Sequence, residues 1–224
     1  SRAQELHALG VNLNFAPVVD LNLNPANPII GKLDRSFAPD PATVSDMAAD
    51  FIRAHRSAGV LTSVKHFPGH GSSLGDSHKA LPSIATTWRD AELIPFQTLA
   101  DEGLIDLAMI GHLYHPDFSD AKDRPSSISR KGVAALRRIV GEAVILTDDL
   151  QMQAIQDSFG DAEAAVQAVI AGDDLLLFLT YKHPDPQIGP KINRAILQAV
   201  QEGRIDPAQI EASYARILKL KQRL

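Results

Sequence analysis

The sequence predicts a parallel α/β fold of the (β/α)-barrel kind, and three observations carry that prediction. Apolar runs of strand length alternate with helical patterns, strand then helix, five times along the chain. Those strands are almost wholly apolar, which marks strands covered on both faces. Asp20, Lys65, His66, His112, Asp148 and Asp149 all fall at the C-terminal ends of their strands. In a barrel these ends share one face, where active sites are built. No GxGxxG opens a first βα unit, so a dinucleotide-binding fold has no support.

Residues 1–10 (SRAQELHALG) read as the last turns of an amphipathic helix stopped by glycine, so upstream sequence is expected. Val11 to Asp20 is the first strand, followed by a loop rich in Asn and Pro. Asp40-Pro41 supplies an N-cap with proline in the first turn, and the helix it opens runs to Gly59. Leu61 to Phe67 is the second strand and leads into the glycine-rich PGHGSSLGDSH loop. A helical stretch over 91–102 is reset by Pro95, and Asp106 to Ile110 is the third strand. Ser129 caps a helix to Val140, and Ala143 to Thr147 is a fourth strand ending in Asp148-Asp149. Ala162 to Ala171 is helical, and Leu175 to Leu179 is a fifth strand. Helices over 190–201 and from Asp206-Pro207 onward complete the sequence. Five units are not the eight of a closed barrel, so three further strands are expected from elsewhere.

At 224 residues the chain is slightly short for such a barrel, typically about 250 residues. The net charge of -5 gives no electrostatic reason to expect nucleic acid or an anionic membrane as partner. No stretch approaches the ~20 apolar residues of a membrane span. The absence of cysteine rules out disulfides and thiolate metal sites.

The densest chemistry is Lys65-His66-Phe67-Pro68-Gly69-His70-Gly71, with Asp76-Ser77-His78 shortly after it. Asp76 and His78, two apart, share one side of an extended loop. A carboxylate beside an imidazole favours the charged ring and fixes which nitrogen carries the proton, as suits a general acid that later acts as base. A solvated loop with incidental histidines is the plain alternative. A zinc site built from His66, His70, Asp76 and His78 is the sharper one, but Pro68, Gly69 and Gly71 break the helix that HxxxH spacing prefers. No metal or other cofactor is therefore expected. In Thr147-Asp148-Asp149-Leu150 successive side chains point to opposite faces. One carboxylate faces the barrel mouth and the other caps the next helix. Arg35, in Asp34-Arg35-Ser36, has a planar fork suited to sugar hydroxyls or an amide carbonyl. Trp88 reads as a packing or helix-start residue.

FAPVVDL, DRSF, KHFPGHG, DSH and TDDLQM, in this order and spacing, resemble the motifs of bacterial glycoside hydrolase family 3 β-N-acetylglucosaminidases of the peptidoglycan-recycling type. The likeness runs through the whole chain and is strongest from Phe15 to Met152. It implies a (β/α)₈ TIM-type barrel of which this chain supplies about strands four to eight. Residues 1–224 would then be the C-terminal portion of one catalytic domain lacking three N-terminal strands. The resemblance further implies a double-displacement mechanism with Asp148 as nucleophile. The Asp76–His78 pair would be acid/base, and Arg35, Lys65 and His66 would bind sugar. In this branch a histidine stands where other family 3 β-glucosidases use a carboxylic acid. A family element on the third strand, D-Q-E-G-G-R, has no counterpart here. The implied substrate is a terminal β-linked N-acetylglucosamine of muropeptides or related glycosides, and the implied location is cytoplasmic, with the periplasm open. A β-N-acetylglucosaminide phosphorylase, a broader family 3 β-glycosidase, a metallohydrolase and a non-catalytic sugar-binding protein remain as alternatives.

Overall fold

The computed structural model describes residues 1–180 and 184–224. Helix α1 (Arg2–Ala8) precedes β1 (Leu13–Asn14), α2 (Pro41–Ser57) and β2 (Leu61–Phe67). Then come α3 (Ile94–Asp101), β3 (Leu107–Ile110), α4 (Arg130–Val140) and β4 (Val144–Asp149). A short α5 (Gln153–Gln156), α6 (Asp161–Ala171), β5 (Leu175–Leu177), α7 (Ile188–Gln201) and α8 (Pro207–Lys221) complete the order. The five strands form one sheet in sequence order, every pair parallel, curled as part of a TIM-type barrel.

Period-two alternation assigns the two faces. Leu107 and Met109 of β3, with Val144 and Leu146 of β4, pack together with Leu61 on the interior face. Ala108, Ile110 and Ile145 join Val64, Phe67, Ile52, Phe96 and Leu136 between sheet and helices. Phe67 is fully buried there and meets Phe96 and Phe118 edge to face. Burial of such a side chain is worth about 2–3 kcal/mol. Residues Ile217 and Leu220 of α8 cover the interior face. In β4 the alternation continues to the strand end and decides which carboxylate faces inward. At the end of β2 it breaks, where the pairing shifts register between Val64 and Phe67 and the neighbours Lys65 and His66 both reach the interior.

Two expectations need correction. The first strand is not ladder-paired from Val11 to Asp20: only Leu13–Asn14 is regular, with an isolated bridge at Val18–Lys65. Pro17 has no amide to donate, so pairing there is reduced to isolated bonds, Ser63 N–H to Ala16 O at 3.0 Å, Lys65 N–H to Pro17 O at 3.2 Å and Val19 N–H to Lys65 O at 2.7 Å. The segment still runs beside β2 and delivers Asp20. Ser129, expected to cap α4 with its side chain, instead donates its hydroxyl to Pro125 O at 2.8 Å. The cap comes from Asp120 in the loop after β3, whose carboxylate accepts from Arg130 N at 2.8 Å and Lys131 N at 3.2 Å. Asp40 does cap α2, accepting from Thr43 N at 2.8 Å.

Candidate active site

The C-terminal ends of β2 and β4 and the loops after β1 and β2 enclose a cavity of about 200 Å³. Arg35, Lys65, His66, His78 and Asp148 all line it, together with His70 and Ser77. Asp148 reaches it because it continues the interior series Val144, Leu146. Asp149 continues the helix-side series through Ile145. Accordingly Asp149 is 5% exposed, and its Oδ1 accepts from Gln151 N and Leu179 N, each at 3.1 Å. It ties the turn after β4 to the segment after β5.

Asp148 is half-buried and, among the described residues, accepts one hydrogen bond, from Asp149 N at 2.8 Å. Burial alone would raise its pKa. His66, His112, the Asp149 amide and Lys65 outweigh that and hold the carboxyl below its ordinary range. It therefore stands at the cavity as a carboxylate with oxygen lone pairs uncommitted. Lys65, half-buried beside it, is pulled below the usual lysine range by burial and by Arg35, while Asp148 and Asp20 act the other way.

His66 is oriented from behind. Its Nδ1–H donates to Asp20 Oδ2 at 2.7 Å, and Asp20 Oδ1 accepts from the amides of His66 at 3.2 Å and His70 at 2.7 Å. Burial pushes the Asp20 carboxyl up, but the two imidazoles and these donors bring it below its ordinary range. The bond to Asp20 places the His66 proton on Nδ1 and turns Nε2 to the cavity, 3.5 Å from Arg35 Nη2. Arg35 is fixed in turn by donating from Nη1 to Ile29 O at 2.9 Å. The Lys65–His66 peptide is cis.

The loop after β2 lies against the segment after β1. A Cβ at Gly71 would sit 1.6 Å from Leu21 O, so only glycine permits that approach. Further along, His78 and Asp76 pair as Nδ1 to Oδ1 at 2.9 Å, and the His78 amide reaches the same oxygen at 2.9 Å. Partial burial raises the Asp76 carboxyl, but the His78 amide and ring and Lys79 bring it below its ordinary range. The His78 side chain is 49% exposed and Asp76 15%, so the dyad forms the solvent edge of the cavity, with the His78 Nε2 free of Asp76.

The structure does not bring His66, His70, Asp76 and His78 together as a ligand set. His70 Nε2 meets Ser77 Oγ at 3.2 Å, His66 Nδ1 is held by Asp20, and among the described residues no three His, Asp or Glu side chains converge as a metal would need. His70 is buried, which lowers its pKa to about 4 and keeps it neutral. Sequence reasoning placed Asp20 and His112 at strand ends without a role. His112 is fully buried; it donates from Nε2 to Asp149 O at 2.9 Å, and its Nδ1 meets Ser127 Oγ at 2.6 Å. Burial depresses its pKa, which fits a neutral ring that positions the end of β4. Ser127 carried no signal in the sequence, because its partner lies 15 residues away. Trp88, read as packing, does pack on His115 and Phe118 and also donates from Nε1 to Pro68 O at 2.9 Å.

The profile of the glycosyl hydrolase family 3 N-terminal domain matches residues 1–220. The chain belongs to glycoside hydrolase family 3. It is 35% identical to the beta-hexosaminidase LpqI of Mycobacterium tuberculosis over 98% of its own length and 56% of that protein. It is 32% identical to beta-hexosaminidase A of Pseudoalteromonas piscicida over 99% of its length and 39% of the relative. The family 3 β-N-acetylglucosaminidase structure from Paenibacillus superposes with a TM-score of 0.89 at 39% identity, covering 99% of this chain and 42% of that one. The chain thus spans about half or less of these family 3 relatives.

Proposed function

We propose that the whole protein is a retaining exo-β-N-acetylglucosaminidase acting on terminal β-linked N-acetylglucosamine of muropeptides or related glycosides. The supporting observation is that one cavity is lined by both the inward carboxylate Asp148 and the Asp76-held imidazole of His78. Asp148 attacks the anomeric carbon as the glycosidic bond breaks, and His78 gives its proton to the leaving oxygen. A covalent glycosyl-enzyme forms. His78 then takes a proton from water as that water attacks the same carbon and releases Asp148, so water is consumed and configuration retained. Arg35, Lys65 and His66 hold the sugar, and Asp76 orients His78. The remaining strands of the barrel come from a segment upstream of β1, and the full site needs them.

One observation favours a second reading. The acid/base group is an imidazole, which leaves its site uncharged after giving up a proton and repels an anionic acceptor less than a carboxylate would. Phosphate could then replace water and yield the sugar 1-phosphate. The test uses the full-length protein with an aryl β-N-acetylglucosaminide, with and without phosphate, following the first-formed anomer by NMR. Release of β-N-acetylglucosamine irrespective of phosphate supports the hydrolase; β-configured sugar 1-phosphate supports the phosphorylase; α-configured first product or no turnover refutes both.

A further inference from the structure

Behind the loop that carries His66 and His70 lies a carboxyl group that none of these steps uses. Glu92, in the short 3₁₀ turn Asp90–Leu93 ahead of α3, is 1% exposed. Neither of its oxygens makes a hydrogen bond of ordinary geometry among the described residues. Its stem lies directly under the loop. A Cβ at Gly69, whose φ is +122°, would stand 2.6 Å from Glu92 Cβ and 2.7 Å from Oε2. Ser72, further along the loop, is also buried with an unpartnered hydroxyl. The segment that carries Glu92 grips the loop a second time through Trp88 Nε1 and Pro68 O. The opposite flank of the loop is held by Asp20 through the amides of His66 and His70.

Such a wall suits a neutral acid and not an anion. An ionised Glu92 would be a desolvated charge facing a second buried carboxylate, Asp20, with no cation among the groups that act on it. Burial pushes its pKa up to about 7, Asp20 acts in the same direction, and the donors of Ser72 and the Arg89 amide offset only part. Of the other titratable groups of this loop, His66 is committed to Asp20 through Nδ1, and His70 is kept neutral by burial.

We infer that Glu92 is a positioning residue: as the neutral acid it packs Pro68–Ser72 in the geometry that presents His66 to the sugar, and its ionisation releases that segment. Its effect on turnover rests on the glycosidase reading above, whereas its effect on the loop does not.

The experiment compares wild type, Glu92→Gln and Glu92→Ala as full-length proteins. Hydrogen exchange of peptides spanning 65–78, corrected for the intrinsic rate, should rise several-fold in wild type as pH passes about 7. Glu92→Gln should stay protected throughout, and Glu92→Ala should be loose at every pH. With an aryl β-N-acetylglucosaminide, kcat/KM of wild type should lose several-fold across the same interval through a rise in KM, and Glu92→Gln should lack that limb. Linkage adds a third readout. The unfolded chain releases the Glu92 proton near 4.5 and the folded one near 7, so wild-type Tm falls relative to Glu92→Gln between these values. Loop exchange of wild type that is flat in pH, or a rise that Glu92→Gln shares, overturns the inference. Absence of turnover in wild type, with the exchange pattern intact, would instead remove the glycosidase reading and leave the loop role standing.

Discussion

Asp106 and Asp174 at the N-terminal end of the sheet and Asp148 at the C-terminal end use their carboxylates in opposite ways. At the N-terminal end, Asp106 precedes β3 and accepts from Arg56 and Arg223 at 2.7 Å each and from Thr62 N at 3.1 Å. Asp174 precedes β5 and accepts from Arg137 at 2.6 Å, Ile145 N at 2.9 Å, Ser213 at 2.8 Å and Arg216 at 2.9 Å. Each is fully enclosed, and both of its oxygens are occupied. Each also receives an amide from the start of the preceding strand, so these pairs lock strand order and draw α8 onto the barrel floor. At the C-terminal end Asp148 has, among the described residues, a single hydrogen bond, to its own backbone neighbour, while Lys65, His66 and Arg35 stand around the cavity. A saturated carboxylate stabilises; an unsaturated one surrounded by positive groups is left able to bond something else. That contrast separates Asp106 and Asp174 from Asp148; it does not extend to Asp173, which is buried beside Asp174 with both oxygens unpartnered among the described residues.

The largest effect expected from breaking this contrast is at Asp148. Asp148→Ala should cut turnover of an aryl β-N-acetylglucosaminide on the order of 10⁴-fold or more in steady-state assays, with folding intact. Asp149→Asn, whose side chain only ties backbone amides, should cost far less. In the proposed mechanism the attacking form is the carboxylate, and its pKa is held down, so loss of kcat/KM from protonating Asp148 should appear only below the ordinary value of 3.8.

Next comes the dyad at the cavity edge. His78→Ala should slow a glycoside with a poor leaving group by about 10²–10⁴-fold and an activated aryl glycoside much less, since only the former needs the proton. Asp76→Ala should show the same bias more weakly. Equal losses on both substrates would mean that the loop only positions sugar.

At the floor the effect should be on stability alone. Asp174→Ala strands Arg137 and Arg216, which are 24% and 16% exposed, and should lower unfolding free energy by about 3 kcal/mol in denaturant titration while leaving KM unchanged. The smallest change is Asp40→Ala at the start of α2, about 1 kcal/mol from loss of one cap.

Much of this was legible in the sequence because strands carry their own ruler. Period two fixed that one of Asp148 and Asp149 faces inward, and the structure selects Asp148 through Val144 and Leu146. The glycine-rich loop was legible as a loop, but the close approach to Leu21 that requires glycine at position 71 was not. What remained hidden depends on contacts distant along the chain. Asp20 meets His66 across 46 residues, and Asp120 caps α4 from another loop. Glu92 reads as an ordinary polar residue of an amphipathic turn until the loop is folded over it. The first strand was overread because an apolar run predicts burial, whereas regular pairing also needs amides that Pro17 lacks.

The most direct test of the account is to trap the proposed glycosyl-enzyme. Full-length protein treated with a fluorinated N-acetylglucosaminyl fluoride, which slows the second displacement, should gain the mass of one sugar. Peptide mapping should place that sugar on Asp148, and Asp148→Ala should gain none. A label on Asp149 or any other residue, or rapid turnover with inversion and no adduct, would contradict it.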